Sequence, residues 1–233
     1  MTAPEHLAVV LPARNEEKLL PAALSSVRTA ARALQDTARV QVGVTVVLDS
    51  CTDGSAAAAA RIRDLWLPEL DLRILSGSFG TVGAARAAGI AARPQHPGLW
   101  IANTDADTVV PPHWLTCQHR FASAGYGLVL GTAVPDPADL SAAELAAWRK
   151  LHPLGEGHPH IHGANMGFSA AAYRRAGGFA PLASHEDVDL AVRLKAAGTA
   201  WTATDMMQVV TSGRRDGRAP EGFSRFLSQL LPG

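Results

Sequence analysis

From residue 7 onward, short apolar runs rich in valine and leucine alternate with alanine-rich stretches of helical spacing. That alternation is the tightest constraint on the fold, because strand and helix in strict succession close into right-handed βαβ units around a largely parallel sheet. Residues 7–13, 42–48, 72–75 and 99–103 read as buried strands. Helices are expected over 16–34, from a cap at Asp53 or Ser55 through 65, and over 82–92. Asn15 is placed to cap the first of these, with Glu16 and Glu17 in its first turn. Beyond Pro111 and Pro112 the pattern predicts a helix to 123, a strand over 127–134 and a helical stretch over 139–150. A strand over 166–169, a helix ending at 175 and a helix over 186–197 follow, the last with Leu190 and Leu194 on one face. A short amphipathic helix is expected at 223–230, and no repeat or linker divides the chain.

Composition narrows the partners. The 233 residues carry 21 basic and 21 acidic side chains, so no global field draws nucleic acid or anionic lipid to the surface. Any anionic ligand must therefore be held by a local site. Two cysteines, Cys51 and Cys117, are too few for a disulfide framework or a zinc knuckle, and a reducing, cytoplasmic setting is the expectation. The first residues lack the basic and long apolar regions of a signal peptide, and no apolar run approaches the roughly 20 residues of a spanning helix. A soluble chain with at most peripheral membrane contact is expected.

The chemistry-bearing residues gather where an α/β sheet binds ligands, at the carboxyl ends of strands. Asp49 ends the second strand, and Asp105-Ala106-Asp107 follows the fourth. Two carboxylates at i and i+2 can point into one cleft and hold Mg²⁺ or Mn²⁺ through hard oxygens; a solvated turn is the plainer alternative. In His185-Glu186-Asp187-Val188-Asp189 the acids suit a helix N-terminus, and a carboxylate there can also serve as general base. Gly77, Gly80, Gly83 and Arg86 form a loop and helix start that can lie against phosphate, with Arg86 supplying a charge-assisted contact. These glycines fall on the third βα connection, which argues against a dinucleotide fingerprint. His158, His160 and His162 alternate as metal ligands on a strand would, yet the flanking proline and glycine suggest an exposed loop.

Taken in order, Leu48-Asp49-Ser50-Cys51-Thr52-Asp53-Gly54-Ser55, Gly83-Ala-Ala-Arg86, Thr104-Asp105-Ala106-Asp107, Gly163-Ala164-Asn165-Met166-Gly167 and the Glu186-Asp187 pair resemble family 2 glycosyltransferases over about residues 8–195. The resemblance implies an inverting, nucleotide-sugar-dependent enzyme of the GT-A fold: a Rossmann-like, mostly parallel sheet with flanking helices in a single domain. It implies a nucleotide-binding half over 1–110, an acceptor-binding half over 111–210 and a tail over 211–233. Pro12, Ala13, Asn15 and Glu16 would line the nucleotide pocket, Asp49 would read the base, and Arg86 would lie near base or diphosphate. Asp105 and Asp107 match the family's metal-binding DxD, for Mn²⁺ or Mg²⁺, with Asp105 also near the nucleotide. Asp187, paired with Glu186, would be the catalytic base toward an acceptor hydroxyl, and Gly163 and Asn165 would shape the acceptor side. Leu48 replaces the first of two aspartates common in the family, and no histidine follows His185 to complete a metal site. Arg214, Arg215 and Arg218 could close over the diphosphate or form a solvated basic face. Three rivals stand beside this reading: a haloacid dehalogenase-like phosphatase with Asp105 as nucleophile, a nucleotidyltransferase, and a non-catalytic nucleotide-sugar-binding protein.

Overall fold

Three strands buried on both faces, with a more exposed strand at the edge, make one half of the sheet. In the computed structural model, which describes residues 3–214, these are β1 (His6–Ala13), β2 (Gln41–Asp49), β3 (Asp71–Gly77) and β4 (Leu99–Asn103). All pair in parallel, with Val9 opposite both Val44 and Ala102. The helices α1 (Leu20–Gln35), α2 (Ser55–Trp66) and α3 (Val82–Ala91) connect them. Four further strands, β5 (Thr108–Val109), β6 (Leu128–Pro135), β7 (Met166–Ser169) and β8 (Trp201–Thr211), extend the sheet to the order β3-β2-β1-β4-β7-β6-β8-β5. β7 runs antiparallel to β4 and β6, whereas β8 is parallel to β6 and antiparallel to β5. α4 (Trp114–Ser123), α5 (Ala142–Leu151), α6 (Ala170–Arg175) and α7 (Glu186–Ala196) complete the α/β architecture.

Side-chain alternation divides the core between the two faces of the sheet. Val9, Leu11, Val44, Val46 and Trp100 pack with Leu24, Val27 and Trp114 of α1 and α4. Val10, Ile101, Leu130 and Phe168 pack on the other face with Leu190 and Leu194 of α7. A sheet covered on both sides needs continuous apolar strands, which is why these runs are readable. Among the described residues no helix is long and apolar enough to cross a membrane.

The largest differences from the sequence reading are at the start of α1 and at β8. α1 begins at Leu20 rather than at residue 16, because the preceding turn is bonded to the β2–α2 loop. Asn15 has φ 57° and accepts the Thr52 N–H at Oδ1, 2.8 Å. The Glu16 N–H donates to Ser55 Oγ at 2.8 Å and the Glu17 N–H to Asp53 at 3.0 Å. The Gly54 N–H donates to Glu17 at 2.7 Å. Donors that would have needed helix capping are thus satisfied across the loops; neither Asn15 nor Ser55 caps a helix through its side chain, whereas Asp53 accepts the N–H of Ser55, the first residue of α2, at 3.0 Å. The second difference is β8, an eleven-residue strand that the sequence pattern did not suggest. The helix expected at 223–230, together with Arg215 and Arg218, lies outside the described residues.

Candidate functional site

The carboxyl ends of β1, β2 and β4 open into a cavity of about 720 Å³, within the usual range of small-molecule sites. Pro12, Ala13, Glu16 and Asp49 line one side, Asp105 and Asp107 the middle, and Gly163, Glu186 and Asp187 the other side, with Arg86 between. Chain order reverses beside β1, which lies between β2 and β4, and such switch points are where open α/β sheets form crevices. Asn15 and Asn165, both expected at the site, do not line the cavity but support it from behind.

Backbone strain marks both sides of the cavity. Asn15, Ser50 and His185 are the non-glycine residues at positive φ among the described residues, at 57°, 51° and 61°. Each adjoins a cavity carboxylate: Glu16, Asp49 and Glu186 respectively. A left-handed non-glycine residue costs on the order of 1–2 kcal/mol and persists where its surroundings fix it. Asp49 is held in turn by the Phe79 N–H at 2.7 Å and the Ser50 hydroxyl at 3.2 Å.

Arg86, expected beside base or diphosphate, has its guanidinium committed to two protein carboxylates. It is 2% exposed and donates to Asp105 at 2.5 Å and to Glu186. Burial raises the Glu186 carboxyl above its ordinary range, against the pull of Arg86. Small residues make this strut possible: a Cβ on Gly163 would run into the guanidinium, and one on Gly83 would sit 2.8 Å from the Ala180 carbonyl. Arg86 therefore ties the Asp105 strand end to the start of α7.

Asp107 lies in a more acidic corner. Burial, with Asp105 and then Glu16 adding repulsion, pushes its carboxyl up to about 6, while Arg214 opposes the rise. The Arg214 guanidinium donates to both Glu16 oxygens at 2.8 and 2.5 Å and lies 2.9 Å from Asp107 Oδ2. The sign of the linkage is fixed by the raised value: the folded protein binds the proton more tightly than the unfolded chain. Asp107 therefore favours the fold below about pH 4 and loses that contribution as pH rises to about 6. We expect Asp107→Asn to flatten the fall in metal-free stability over this interval, measured by urea unfolding at stepped pH. An unchanged pH slope would contradict the assignment.

Among the described residues, six carboxylates (Glu16, Asp49, Asp105, Asp107, Glu186 and Asp187) and three guanidiniums (Arg14, Arg86 and Arg214) line the cavity. That balance repels a diphosphate unless a cation enters with it. The donors are hard carboxylate oxygens, which fit Mg²⁺ or Mn²⁺. No group of three His, Cys, Asp or Glu side chains able to hold a metal occurs among the described residues. Asp105 and Asp107 are two carboxylates of the cavity that could hold such an ion, with phosphate oxygens and water at the other positions.

On the far wall, Asp187 accepts the Gly163 N–H at Oδ2, 2.6 Å, and the Val188 N–H at Oδ1, 2.8 Å. No side chain caps α7, whose cap position is His185. Asn165, completely buried, accepts the Trp114 indole N–H at 2.8 Å and donates to the Thr132 and Met207 carbonyls, both at 2.8 Å. It joins α4, β6 and β8 behind Gly163. Asn165→Leu leaves those three groups unpaired and is expected to cost about 2–4 kcal/mol in urea unfolding; a loss below 0.5 kcal/mol would contradict this role.

The histidine loop is less exposed than expected. His158 is buried, and Trp148, His152, His160 and His162 stack in series with ring centroids 4.8, 5.2 and 6.0 Å apart. Burial, aided by the neighbouring imidazoles, pushes His162 down to about 4, so this cavity residue is uncharged at neutral pH. Sequence reasoning also missed the wall formed by Thr211 and Ser212, because it depends on β8.

This architecture has known counterparts. The structure aligns with S. aureus TarS 1-349 at TM-score 0.63 and 15% identity, covering 97% of this chain and 69% of that one. It aligns with the mannosyltransferase PcManGT from Pyrobaculum calidifontis, in complex with GDP-Man and Mn²⁺, at TM-score 0.68 and 20% identity, covering 97% and 68%. These identities establish likeness of fold, and the fold is the one expected. No curated protein sequence matches the chain. A family model described as glycosyl transferase family 2 matches residues 8–177. That span includes Asp49, Arg86, Asp105, Asp107 and Gly163, sets aside the phosphatase and nucleotidyltransferase readings, and places the chain in glycosyl transferase family 2.

Proposed function

We propose that this glycosyltransferase moves one sugar from a nucleoside-diphosphate sugar to an acceptor hydroxyl with inversion, assisted by Mn²⁺ or Mg²⁺. The observation that carries the reading is a single cavity lined by both the Asp105–Asp107 pair and Asp187, with Arg86 bonded to Asp105 and to Glu186, the neighbour of Asp187. The GDP-Man and Mn²⁺ of the mannosyltransferase complex and the UDP of a TarS complex support a donor of this class.

Pro12, Ala13 and Glu16 wall the nucleotide side, and Asp49 accepts from the base. A divalent cation at Asp105 and Asp107 would neutralise the diphosphate and make it a better leaving group. The Gly163 N–H aims Asp187, whose carboxylate takes the proton of the acceptor hydroxyl as the oxygen attacks the anomeric carbon. The bond to the diphosphate breaks on the opposite face, which inverts the anomeric centre. Asn165 fixes the backbone behind the acceptor.

A thermal-shift panel of nucleoside diphosphates with and without Mn²⁺ tests the donor and metal assignments together. At a hundredfold excess over Kd a ligand adds about 2.7 kcal/mol, roughly 5–10 °C for a chain of this size. One base should stabilise selectively, more so with Mn²⁺, and Asp107→Ala should lose the Mn²⁺-dependent part. Equal shifts with and without Mn²⁺ in both proteins would overturn the metal assignment, and no shift with any nucleotide would overturn the donor assignment.

A further inference from the structure

Arg214 has no part in the donor and base roles above, yet it is paired with two carboxylates of the cavity, Glu16 and Asp107. Its backbone is fixed just before it: the Ser212 N–H donates to the Asp107 carbonyl at 3.0 Å and the Gly213 N–H to Asp139 at 2.7 Å. From there the side chain, 27% exposed, reaches both oxygens of Glu16 and one of Asp107. Glu16 and Asp107 are themselves largely buried, with side-chain exposures of 6% and 16%. Glu16 is further set by its N–H bond to Ser55. The chain thus presses a monovalent cation of its own against the carboxylate assigned to the divalent ion. Two cations on one carboxylate repel each other, so the two modes of neutralising this corner compete.

Resting on the metal-assisted reading, we propose that Arg214 is a built-in counter-cation of the donor site, displaced from Asp107 when a divalent cation binds. The competition makes the site discriminate. A free ion must break the Arg214 pairs with only two protein carboxylates to gain. An ion arriving with a nucleoside diphosphate brings phosphate ligands of its own, and the freed guanidinium gains an anionic partner. Metal and donor are therefore bound together rather than metal first, and Arg214 sets the strength of that coupling.

Mn²⁺ alone, titrated into the full chain and followed by the electron paramagnetic resonance signal of the free ion, tests the proposal without turnover. Arg214→Met should bind Mn²⁺ about tenfold more tightly than the wild type, the equivalent of about one ion pair removed, whereas Arg214→Lys, which keeps the charge, should stay within about threefold. Adding the stabilising nucleoside diphosphate should tighten Mn²⁺ binding by a larger factor in the wild type than in Arg214→Met. Mn²⁺ affinity in Arg214→Met equal to or weaker than wild type would overturn the counter-cation role while leaving the metal site standing. No Mn²⁺ binding by either protein, with or without nucleotide, would overturn both.

Discussion

Asp187→Asn is expected to lower the rate of sugar transfer by roughly 10²–10⁴, the range associated with loss of a general base, while the KM for the donor stays within about twofold. Asparagine keeps the shape of the side chain and an oxygen that can accept the Gly163 N–H, giving up only the contact to the neighbouring Val188 N–H, so the wall of the cavity should survive. What it cannot do is take the hydroxyl proton. Initial rates at varied donor concentration separate the two effects. A rate within threefold of wild type would remove Asp187 from the base role, and a large rise in donor KM with unchanged kcat would move it to the donor side.

The largest effect on stability is expected at Arg86. Its guanidinium is almost fully buried between Glu186 and Asp105, so Arg86→Met strands a buried carboxylate. Breaking a buried pair in this way typically costs about 3–5 kcal/mol. For a chain of this length that corresponds to a fall in Tm of roughly 10 °C. The double variant Arg86→Met/Glu186→Gln should regain part of the loss, because no uncompensated charge then remains at position 186. Urea unfolding of the two variants measures the difference. A cost below 1 kcal/mol for Arg86→Met, or a double variant less stable than the single one, would contradict the strut.

The half of the fold made by β1 to β4 was legible because β1, β2 and β4 are buried on both faces, so each is a nearly unbroken apolar run, while the exposed edge strand β3 still carries the short apolar run Ile74-Leu75 after Leu72. β8 was not legible. Its residues mix threonine, aspartate and methionine, and its pairing with β6 shifts register between Gly131 and Ala133, which breaks the two-residue period that betrays a strand. The start of α1 was misplaced because the turn at Asn15 finds its partners near Thr52 and Ser55, some 37–39 residues away.

The same distinction holds at the cavity. Asp49, Asp105 and Asp107 were visible because a carboxylate at a strand end is a local signal, and Asp187 because it opens a helix. Arg86 was visible as a charge on a glycine-flanked helix, but not as a strut, since Glu186 lies 100 residues further on. The pairing of Arg214 with Glu16 spans 198 residues and leaves no trace in local pattern. Charge balance in a cavity is a property of the fold, and only the three-dimensional arrangement reveals that Glu16 belongs with Asp107.

The most direct test is to locate the metal. Crystals grown with Mn²⁺ and the nucleoside diphosphate that stabilises the protein carry an anomalous signal that places the ion without ambiguity. The expected result is a peak against the Asp107 carboxylate, with the diphosphate beside it and Asp187 facing the open end of the cavity. A peak on the histidine stack at His152 to His162, or a nucleotide bound away from Asp49 and Asp107, would contradict the assignment of this cavity as the donor site.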